Sequence, residues 1–217
     1  MRSKCKNIYD QGELGSCTAN ALAQAIRILK PDFEPSRLFI YYNELIIESD
    51  NSDDIEDNGA NVFDGCTYIS KHGVCEENLW PYDITKFNIK PPIIAYNEAE
   101  HNKIISFNII SRNNNYIDSL KKTLVNGSPI LLAILIFESF ESYEVSQTGN
   151  IPIPNENEKC LGGHEVLIIG YDDDKKVFNL VNSWSDNWGD KGFFILPYSY
   201  IENSNLTEQT IAINKFY

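Results

Sequence analysis

QGELGSCTANALAQAI, residues 11–26, is the stretch that decides the fold of this chain. Two glycines and a serine predict a loop, and the alanines and aliphatic residues that follow predict a helix, which Pro31 ends. Cys17 is therefore predicted at the helix N-terminus or one residue before it, where unpaired N–H groups and the helix dipole favour a thiolate. Gln11 lies on the far side of the loop, and a folded loop would bring its amide beside the sulfur.

A second polar pair lies near the other end of the chain. His164 precedes an apolar run, residues 166–171, that predicts a buried strand, and a polar turn then leads to a returning strand that ends at Asn182. The two strands form a predicted hairpin, so His164 and Asn182 are neighbours across it. A cysteine, followed much later by a histidine and then an asparagine, has the chain order of a Cys-His-Asn nucleophilic site.

The motifs around these residues resemble those of the papain-like cysteine proteases, the cathepsin group. The most specific match is the segment from Asn182-Ser183-Trp184 through Trp188-Gly189 to Gly192-Phe193. The other matching segments are Gln11-Gly12, Gly15-Ser16-Cys17, Tyr41-Tyr42-Asn43, Asn58-Gly59-Ala60, Trp80-Pro81-Tyr82, Gly163-His164 and Gly170-Tyr171. The resemblance spans residues 7–200, which is nearly the whole chain.

The chain also departs from this family pattern. The family usually bridges a cysteine three residues before the nucleophile to a second cysteine near the glycine pair, and this chain has Leu14 and Asp57 at those places. Thr18 follows the proposed nucleophile where the family commonly has tryptophan, and Ser185 replaces a usual glycine. The chain is therefore more similar to a disulfide-poor, microbial or viral branch than to an animal lysosomal enzyme.

The resemblance implies a single papain-like domain, residues 1–217, of α+β class with two lobes. The helical lobe would cover about 7–90, and an antiparallel, β-barrel-like lobe about 104–217, with the active-site cleft between them. It implies a cysteine peptidase in which Cys17 is the nucleophile, His164 the acid–base group, Asn182 its orienting amide and Gln11 an oxyanion donor. The implied substrate-binding residues are Gly59, Ala60, Ala133, Gly163 and Trp184.

The pattern of the chain also predicts its main elements. Helices are predicted at 36–48, behind a serine cap, at 61–72 and at 116–126, and strands at 104–110, 129–136, 192–196 and 209–213. Residues 50–58 are predicted as a solvated acidic loop, and 85–103 as an irregular crossover between lobes. A long polar loop, 146–161, leads to the histidine and is long enough to lie over the cleft. A helical first half and a β-rich second half make an α+β protein.

Composition excludes several classes of function. The chain has 217 residues and a formal net charge of −13, so it offers no basic patch for nucleic acid or an anionic membrane. The expected partner is a peptide or protein substrate, and the sequence leaves the oligomeric state open. Three dispersed histidines and the lack of a glycine-rich phosphate loop predict no metal and no cofactor.

The cysteines and the N-terminus suggest a location. Five cysteines, an odd number with no recognisable bridging pattern, favour a reduced setting, although Cys66 and Cys75 lie close enough in sequence to pair. Residues 1–10 carry no apolar leader, and only ten residues precede Gln11, too few for a long inhibitory pro-segment. We expect an intracellular, cytoplasmic protein or, for a viral one, association with the virion or the host cell.

Two alternatives to a peptidase stay open at this level. A catalytically silent member of the same fold would serve as a binding module, although the intact Cys17, His164, Asn182 and Gln11 argue against it. An acyltransferase or deamidase would use the same three side chains and the same thioester, and would differ only in the nucleophile that resolves it. Whether the enzyme cleaves within chains or at their ends is also open.

Overall fold

A computed structural model describes residues 1–49 and 55–217 of the chain. These residues form seven α-helices and six strands. The helices are α1 Cys17–Leu29, α2 Arg37–Glu48, α3 Val62–His72, α4 Ile93–Ala99, α5 Tyr116–Val125, α6 Tyr143–Thr148 and α7 Tyr198–Glu202. The strands are β1 Ile104–Ile109, β2 Ile130–Phe137, β3 Cys160–Asp172, β4 Val177–Val181, β5 Phe193–Pro197 and β6 Thr207–Phe216.

Helix α1 is the central helix of the fold. It begins at Cys17, with Ser16 as its N-cap residue, as the sequence predicted. Ala19, Leu22 and Ile26 are fully buried, and almost the whole helix is enclosed. It packs on β3 behind it and on α2 and α3 beside it. A buried helix at this place fixes Cys17 relative to the strand that carries His164.

The strands form one sheet in the order β1-β6-β2-β3-β4-β5, and neighbouring strands run antiparallel. Strands β1 and β5 are its two edges, so within the described residues the sheet is open. The lobe is antiparallel as predicted, although the sheet does not close into a full barrel, since closure would require the edge strands to pair. The α+β class is confirmed.

The sheet separates two apolar cores. Because successive side chains of a strand point to opposite faces, Leu131 of β2 joins a core with helices α1, α2 and α3, while Ile130 and Leu132 join a second core on the other face. The second core includes Tyr116 and Leu120 of α5. These two cores agree with a two-lobed α+β fold. The boundaries predicted for the lobes stay a prediction.

Two segments differ from their predicted form. Residues 85–103 are not irregular throughout, because α4 begins directly after Pro92, and proline is well tolerated at a helix start, where no N–H donor is needed. The segment 146–161 begins inside α6 and ends inside β3. Between them, Ile151 is buried and its N–H bonds to Ile195. This segment is therefore attached to the edge of the sheet.

The acidic loop falls partly outside the described residues, since 50–54 are not described. All five cysteines are free thiols, so Cys66 and Cys75 do not form a disulfide. In the described ranges, no three metal-ligating side chains cluster together. The described helices include none that is both long and apolar enough to cross a membrane.

Candidate active site

Cys17 lies at the meeting point of α1 and β3. Burial raises the pKa of its thiol, whereas the backbone N–H groups of Glu165, Thr18 and Cys17 itself lower it. Glu165 is the residue directly after His164 on β3, so the sulfur lies against the strand that carries the histidine. The cysteine is half-buried, whereas three of the four other cysteines are buried. This combination of access and backbone donors distinguishes it from a structural thiol.

Gln11 connects the cysteine loop to the segment after β4. Its backbone N–H donates to the Ser183 carbonyl at 2.9 Å, and its side-chain oxygen accepts from Ser183 Oγ at 2.6 Å. Its Nε2 donates to the Leu14 carbonyl at 3.0 Å. An amide nitrogen carries two hydrogens, so a second donor remains on Nε2. Gln11 is buried, and its orientation is fixed by these three bonds.

A tyrosine from the middle of the chain holds the same loop. Tyr82 Oη donates to the Gln11 carbonyl at 2.9 Å and lies 2.5 Å from Ser16 Oγ, the N-cap residue of α1. The Arg37 guanidinium stacks 3.9 Å from the centre of the Tyr82 ring. The matched Trp80-Pro81-Tyr82 motif therefore braces the loop before Cys17.

Asp57 holds the other side of the loop. Its carboxylate accepts from the Gly15 N–H at 3.0 and 3.1 Å, and the Tyr41 hydroxyl donates to it as well. The sequence prediction placed this residue in a solvated loop, and Asp57 is indeed exposed, but it also bonds the loop before Cys17. Hydrogen bonds that the Asp57 carboxylate accepts link the two positions, near Leu14 and at Asp57, that the family usually joins by a disulfide.

The histidine and asparagine lie together as the hairpin predicted. His164 Nε2 is 2.8 Å from Asn182 Oδ1, and both residues are buried. The Ser183 N–H also donates to Asn182 Oδ1 at 2.8 Å, which identifies that atom as the oxygen of the amide. Since Nε2 then carries the hydrogen, Nδ1 of a neutral ring is an acceptor.

A group of aromatic rings encloses this pair, and we call it the aromatic cluster: Phe140, Trp184, Trp188 and Phe194. Trp184 lies 4.9 Å from the His164 ring, centre to centre, and Phe140 meets that ring edge-on at 6.4 Å. Phe140 also contacts the other three rings of the cluster. The sequence analysis singled out Trp184 but missed Phe140, whose only signal was its place soon after β2.

Burial is the largest cause of the pKa shifts of both Cys17 and His164. It raises the pKa of the Cys17 thiol, and the backbone hydrogen bonds offset this only in part. It lowers the pKa of His164 to about 4, against the opposing effects of the Asn182 bond and of Glu141. Both shifts favour a neutral thiol beside a neutral imidazole. Desolvation is the largest influence on the thiol in this conformation, and the lowered thiol pKa expected from the sequence stays a prediction.

The predicted substrate-binding residues lie around Cys17 and His164. Gly59 has φ +78° and sits beside the Gly15 turn, and Ala60 packs on the core beside it. Ala133 of β2 is opposite Glu165 of β3 in the sheet register. Gly163 is exposed directly before His164 and pairs with Leu135. Their role in binding substrate stays a prediction.

Two buried carboxyl groups near Cys17 were not anticipated. Glu44 accepts from Thr18 Oγ1 at 2.8 Å, and Glu165 follows His164 directly on β3. Burial raises the pKa of each well above that of an ordinary glutamate. Gly65 makes room for Glu44, since a Cβ there would overlap its Oε1. In the sequence, nothing distinguishes Glu44 from an ordinary helix glutamate or Glu165 from an ordinary strand glutamate.

A helix-start cysteine and a buried His–Asn pair thus lie on two elements of this α+β fold that pack against each other. The family described as papain family cysteine protease matches residues 1–213. The chain belongs to the papain family of cysteine proteases.

Individual relatives agree with this assignment. An uncharacterised peptidase C1-like protein of Acanthamoeba polyphaga mimivirus is 43% identical over 91% of this chain and 66% of its own length. Cysteine proteinase 1 of Entamoeba histolytica is 27% identical over 88% of this chain and 60% of its own length. The chain thus spans no more than about two thirds of these curated relatives.

Solved structures show the same fold. Xylellain, a cysteine protease from Xylella fastidiosa, is 40% identical with a TM-score of 0.87, over 97% of this chain and 83% of that one. The bromelain protease of Ananas comosus, solved with the inhibitor E64, is 20% identical with a TM-score of 0.66, over 97% of this chain and 94% of that one. The viral and bacterial relatives support the microbial or viral branch that the sequence indicated.

Proposed function

We propose that this chain hydrolyses peptide bonds with Cys17, His164 and Asn182 as its catalytic triad. The observation that carries the proposal is the 2.8 Å contact of His164 Nε2 with Asn182 Oδ1, with His164 on a strand that packs against the helix beginning at Cys17. This contact turns His164 Nδ1, the ring's acceptor, away from Asn182. A neutral imidazole beside a neutral thiol is the starting state for general-base catalysis.

In the proposed reaction, the Cys17 sulfur attacks the carbonyl carbon of the substrate while its proton passes to His164 Nδ1. The oxygen of the tetrahedral intermediate takes hydrogen bonds from the Cys17 backbone N–H and from the second N–H of Gln11 Nε2. His164 then gives its proton to the leaving amine, and the C–N bond breaks to leave a thioester. A water molecule, deprotonated by His164, resolves the thioester to an acid and the free thiol.

The substrate assignments rest on positions near this centre. Gly59 and Ala60 would pair with the substrate backbone, and Ala133 would leave room for an apolar side chain, with Gly163 beside it. Trp184, half-buried against the His164 ring, would shield the His–Asn bond from water. Whether cleavage is internal or terminal stays open.

The test is cleavage of a peptide library by the wild-type chain and by Cys17→Ala. We expect the wild type to cleave peptides and to be labelled at Cys17 by E64, the inhibitor of the bromelain complex. Cys17→Ala should lose both properties and keep the wild-type circular dichroism spectrum. Cys160→Ser, which removes the exposed thiol instead, is the matched control.

The outcomes also separate the rival functions. Peptide binding without cleavage by the wild type would indicate a binding module. Transfer of the acyl group to an added amine in preference to water would indicate an acyltransferase, and release of ammonia from glutamine peptides a deamidase. Labelling and cleavage that persist in Cys17→Ala would contradict the assignment of the nucleophile.

A further inference from the structure

A small cavity with both polar and apolar lining lies beside Asn182, and the proposed reaction does not use it. Its volume, measured as the space open to the centre of a water-sized sphere, is about 10 Å³. Part of its lining is formed by Tyr9, Ala21, Leu167 and Val181, and the rest by five polar residues: Gln24 of α1, Glu165 of β3, Asn182, Asn20 and Ser183. All five of these residues are buried.

Three of these side chains each have a polar atom without a protein partner among the described residues: Gln24 Nε2, Glu165 Oε1 and Asn182 Nδ2. In two of these side chains, Gln24 and Asn182, the amide oxygen already has a hydrogen-bond partner. Gln24 Oε1 accepts from the Arg27 guanidinium at 2.8 Å, and Asn182 Oδ1 lies against His164 Nε2. Buried polar atoms are rarely left unpaired, because each lost bond costs free energy. Three such residues around one cavity indicate a shared partner.

The cavity has the size and chemistry of a site for one water molecule. About 10–15 Å³ of such space holds a single water, which needs two to four polar partners. The unpaired atoms include two amide donors and one carboxyl acceptor, which are partners that a water molecule can bond. The water oxygen accepts hydrogen bonds from the Gln24 and Asn182 N–H groups, and one of its own hydrogens goes to Glu165 Oε1.

We propose that one buried water bridges Gln24, Glu165 and Asn182, and that Glu165 is thereby a positioning residue that holds the Asn182 amide in line with His164. The proposal rests on the function proposed above. With Nδ2 fixed by the water, Asn182 cannot rotate its amide, and Oδ1 stays directed at His164 Nε2. The imidazole is then held so that Nδ1 is free to accept the proton of the Cys17 thiol.

The surroundings of Glu165 favour its uncharged form. The ionisable groups that face it are Cys17 from α1, Glu44 from α2, Cys66 from α3 and Glu208 from β6, and each is an acid rather than a base. Burial, the largest cause, raises its pKa well above the ordinary value. An uncharged carboxyl group has one donor and acceptor oxygens, the same inventory as a glutamine amide.

The first test needs no turnover. A crystal structure of the wild type, at a resolution that shows ordered water, should contain one water at hydrogen-bond distance, about 2.7–3.2 Å, from all three atoms. A site without water, or a water that does not reach Asn182, would overturn the proposal.

The second test compares Glu165→Gln with Glu165→Leu. Gln keeps the donor and acceptor, so we expect kcat within about twofold of wild type, whereas Leu should lower kcat about tenfold with little change in KM, as for a lost buried hydrogen bond. The NMR resonance of the His164 Nε2 proton should move in Glu165→Leu and stay in Glu165→Gln. Glu44→Leu is the matched control for this resonance, since Glu44 is equally buried but does not line the cavity.

Other results would contradict the positioning role. If Gln is as damaging as Leu, Glu165 acts as a charge rather than as a hydrogen-bonding group. If Glu165→Leu does not fold, Gln24→Leu removes another partner of the same water and must move the same resonance. A wild type that lacks peptidase activity would overturn the proposed function alone, because the water and the His164 resonance are observed without substrate.

Discussion

The two walls of the candidate site are held by different kinds of interaction. On the cysteine wall, side chains hold the loop before α1: Tyr82 bonds its backbone at Gln11, and Asp57 bonds it at Gly15. On the histidine wall, the backbone ladder of β2 and β3 sets the position of His164, and the aromatic cluster covers it. One wall depends on a few polar contacts and the other on a register and a packed core.

This difference explains which parts of the site were predictable. Strand pairing follows a period of two, so a hairpin with His164 at one end and Asn182 at the other could be read from the sequence alone. The partners of the loop come from distant parts of the chain, and no local pattern marks Asp57 as the acceptor for Gly15. The predictions that follow test this contrast, from the largest expected effect to the smallest.

The largest effect is expected on the histidine wall. His164→Ala removes the base and acid of the proposed reaction, and the usual contribution of such a group is about 10²–10⁴-fold in rate. The change in kcat should be measured with a peptide that the wild type cleaves. Because the ladder of β3 does not depend on the imidazole, the circular dichroism spectrum should stay that of the wild type.

His72→Ala is the control, since it removes a histidine near the C-terminal end of α3, away from the candidate site. It should keep the wild-type kcat. Activity retained by His164→Ala would mean that the base is a different group, and the Cys-His-Asn assignment would then be wrong.

On the cysteine wall, the test is Asp57→Ala. It leaves the Gly15 N–H and the Tyr41 hydroxyl without their acceptor, and bonds to a charged group contribute about 1.5–3 kcal/mol each when protected. The bonds to Gly15 are exposed to solvent, so we expect a loss of about 1–2 kcal/mol in the free energy of unfolding. We also expect kcat to fall about tenfold, because the loop carries the oxyanion donors.

Glu56→Ala is a closely matched control, because this neighbouring carboxylate is exposed and bonds only to Asn58 among the hydrogen bonds described. It should change neither the free energy of unfolding nor kcat by much. Equal effects of the two substitutions would show that the acidic segment acts through its charge alone and that Asp57 does not brace the loop.

The pKa shifts of Cys17 and His164 give a third prediction. Because burial raises the pKa of Cys17 and lowers that of His164, the resting thiol should be uncharged near pH 7. The thiolate absorbs in the ultraviolet, so the difference spectrum of wild type minus Cys17→Ala should show no thiolate at about pH 7 and should gain it only above the ordinary thiol pKa of about 8.5. A thiolate signal already present at pH 7 would show a preformed ion pair.

The desolvation of Cys17 and His164 could not be predicted from the sequence. A helix-start cysteine near a histidine favours a thiolate by rule, and that rule assumes that solvent reaches the pair. The desolvation comes from residues far apart in the chain, such as Phe140 and Trp184 around the imidazole. Helix α4 was missed for a simpler reason: Pro91-Pro92 suggested an irregular segment, although proline also starts helices. Location in the cell and the boundaries of the lobes stay predictions.

The smallest effect concerns Glu44, the buried carboxyl group behind the cysteine wall. Burial raises its pKa well above the ordinary value of about 4.3. A group whose pKa is raised by folding contributes its full stability below the unfolded pKa and loses it as the pH rises through the folded value. Glu44→Gln cannot ionise, so its free energy of unfolding relative to wild type should increase steadily from about pH 4.5 upward. Urea unfolding at several pH values measures this difference.

His164 changes stability in the opposite direction and must be separated from this effect. Its pKa falls to about 4 on folding, so it favours the folded state above its unfolded pKa of about 6.5, and that stability is lost as the pH falls toward 4. This contribution of His164 to the free energy of unfolding is the same in wild type and Glu44→Gln, so it cancels in their difference. Glu48→Gln, which removes an exposed carboxyl group from the same helix, should give a difference that does not grow with pH. A flat difference for Glu44→Gln as well would mean that Glu44 is solvated in the folded protein, and that the cysteine wall is more open than its burial indicates.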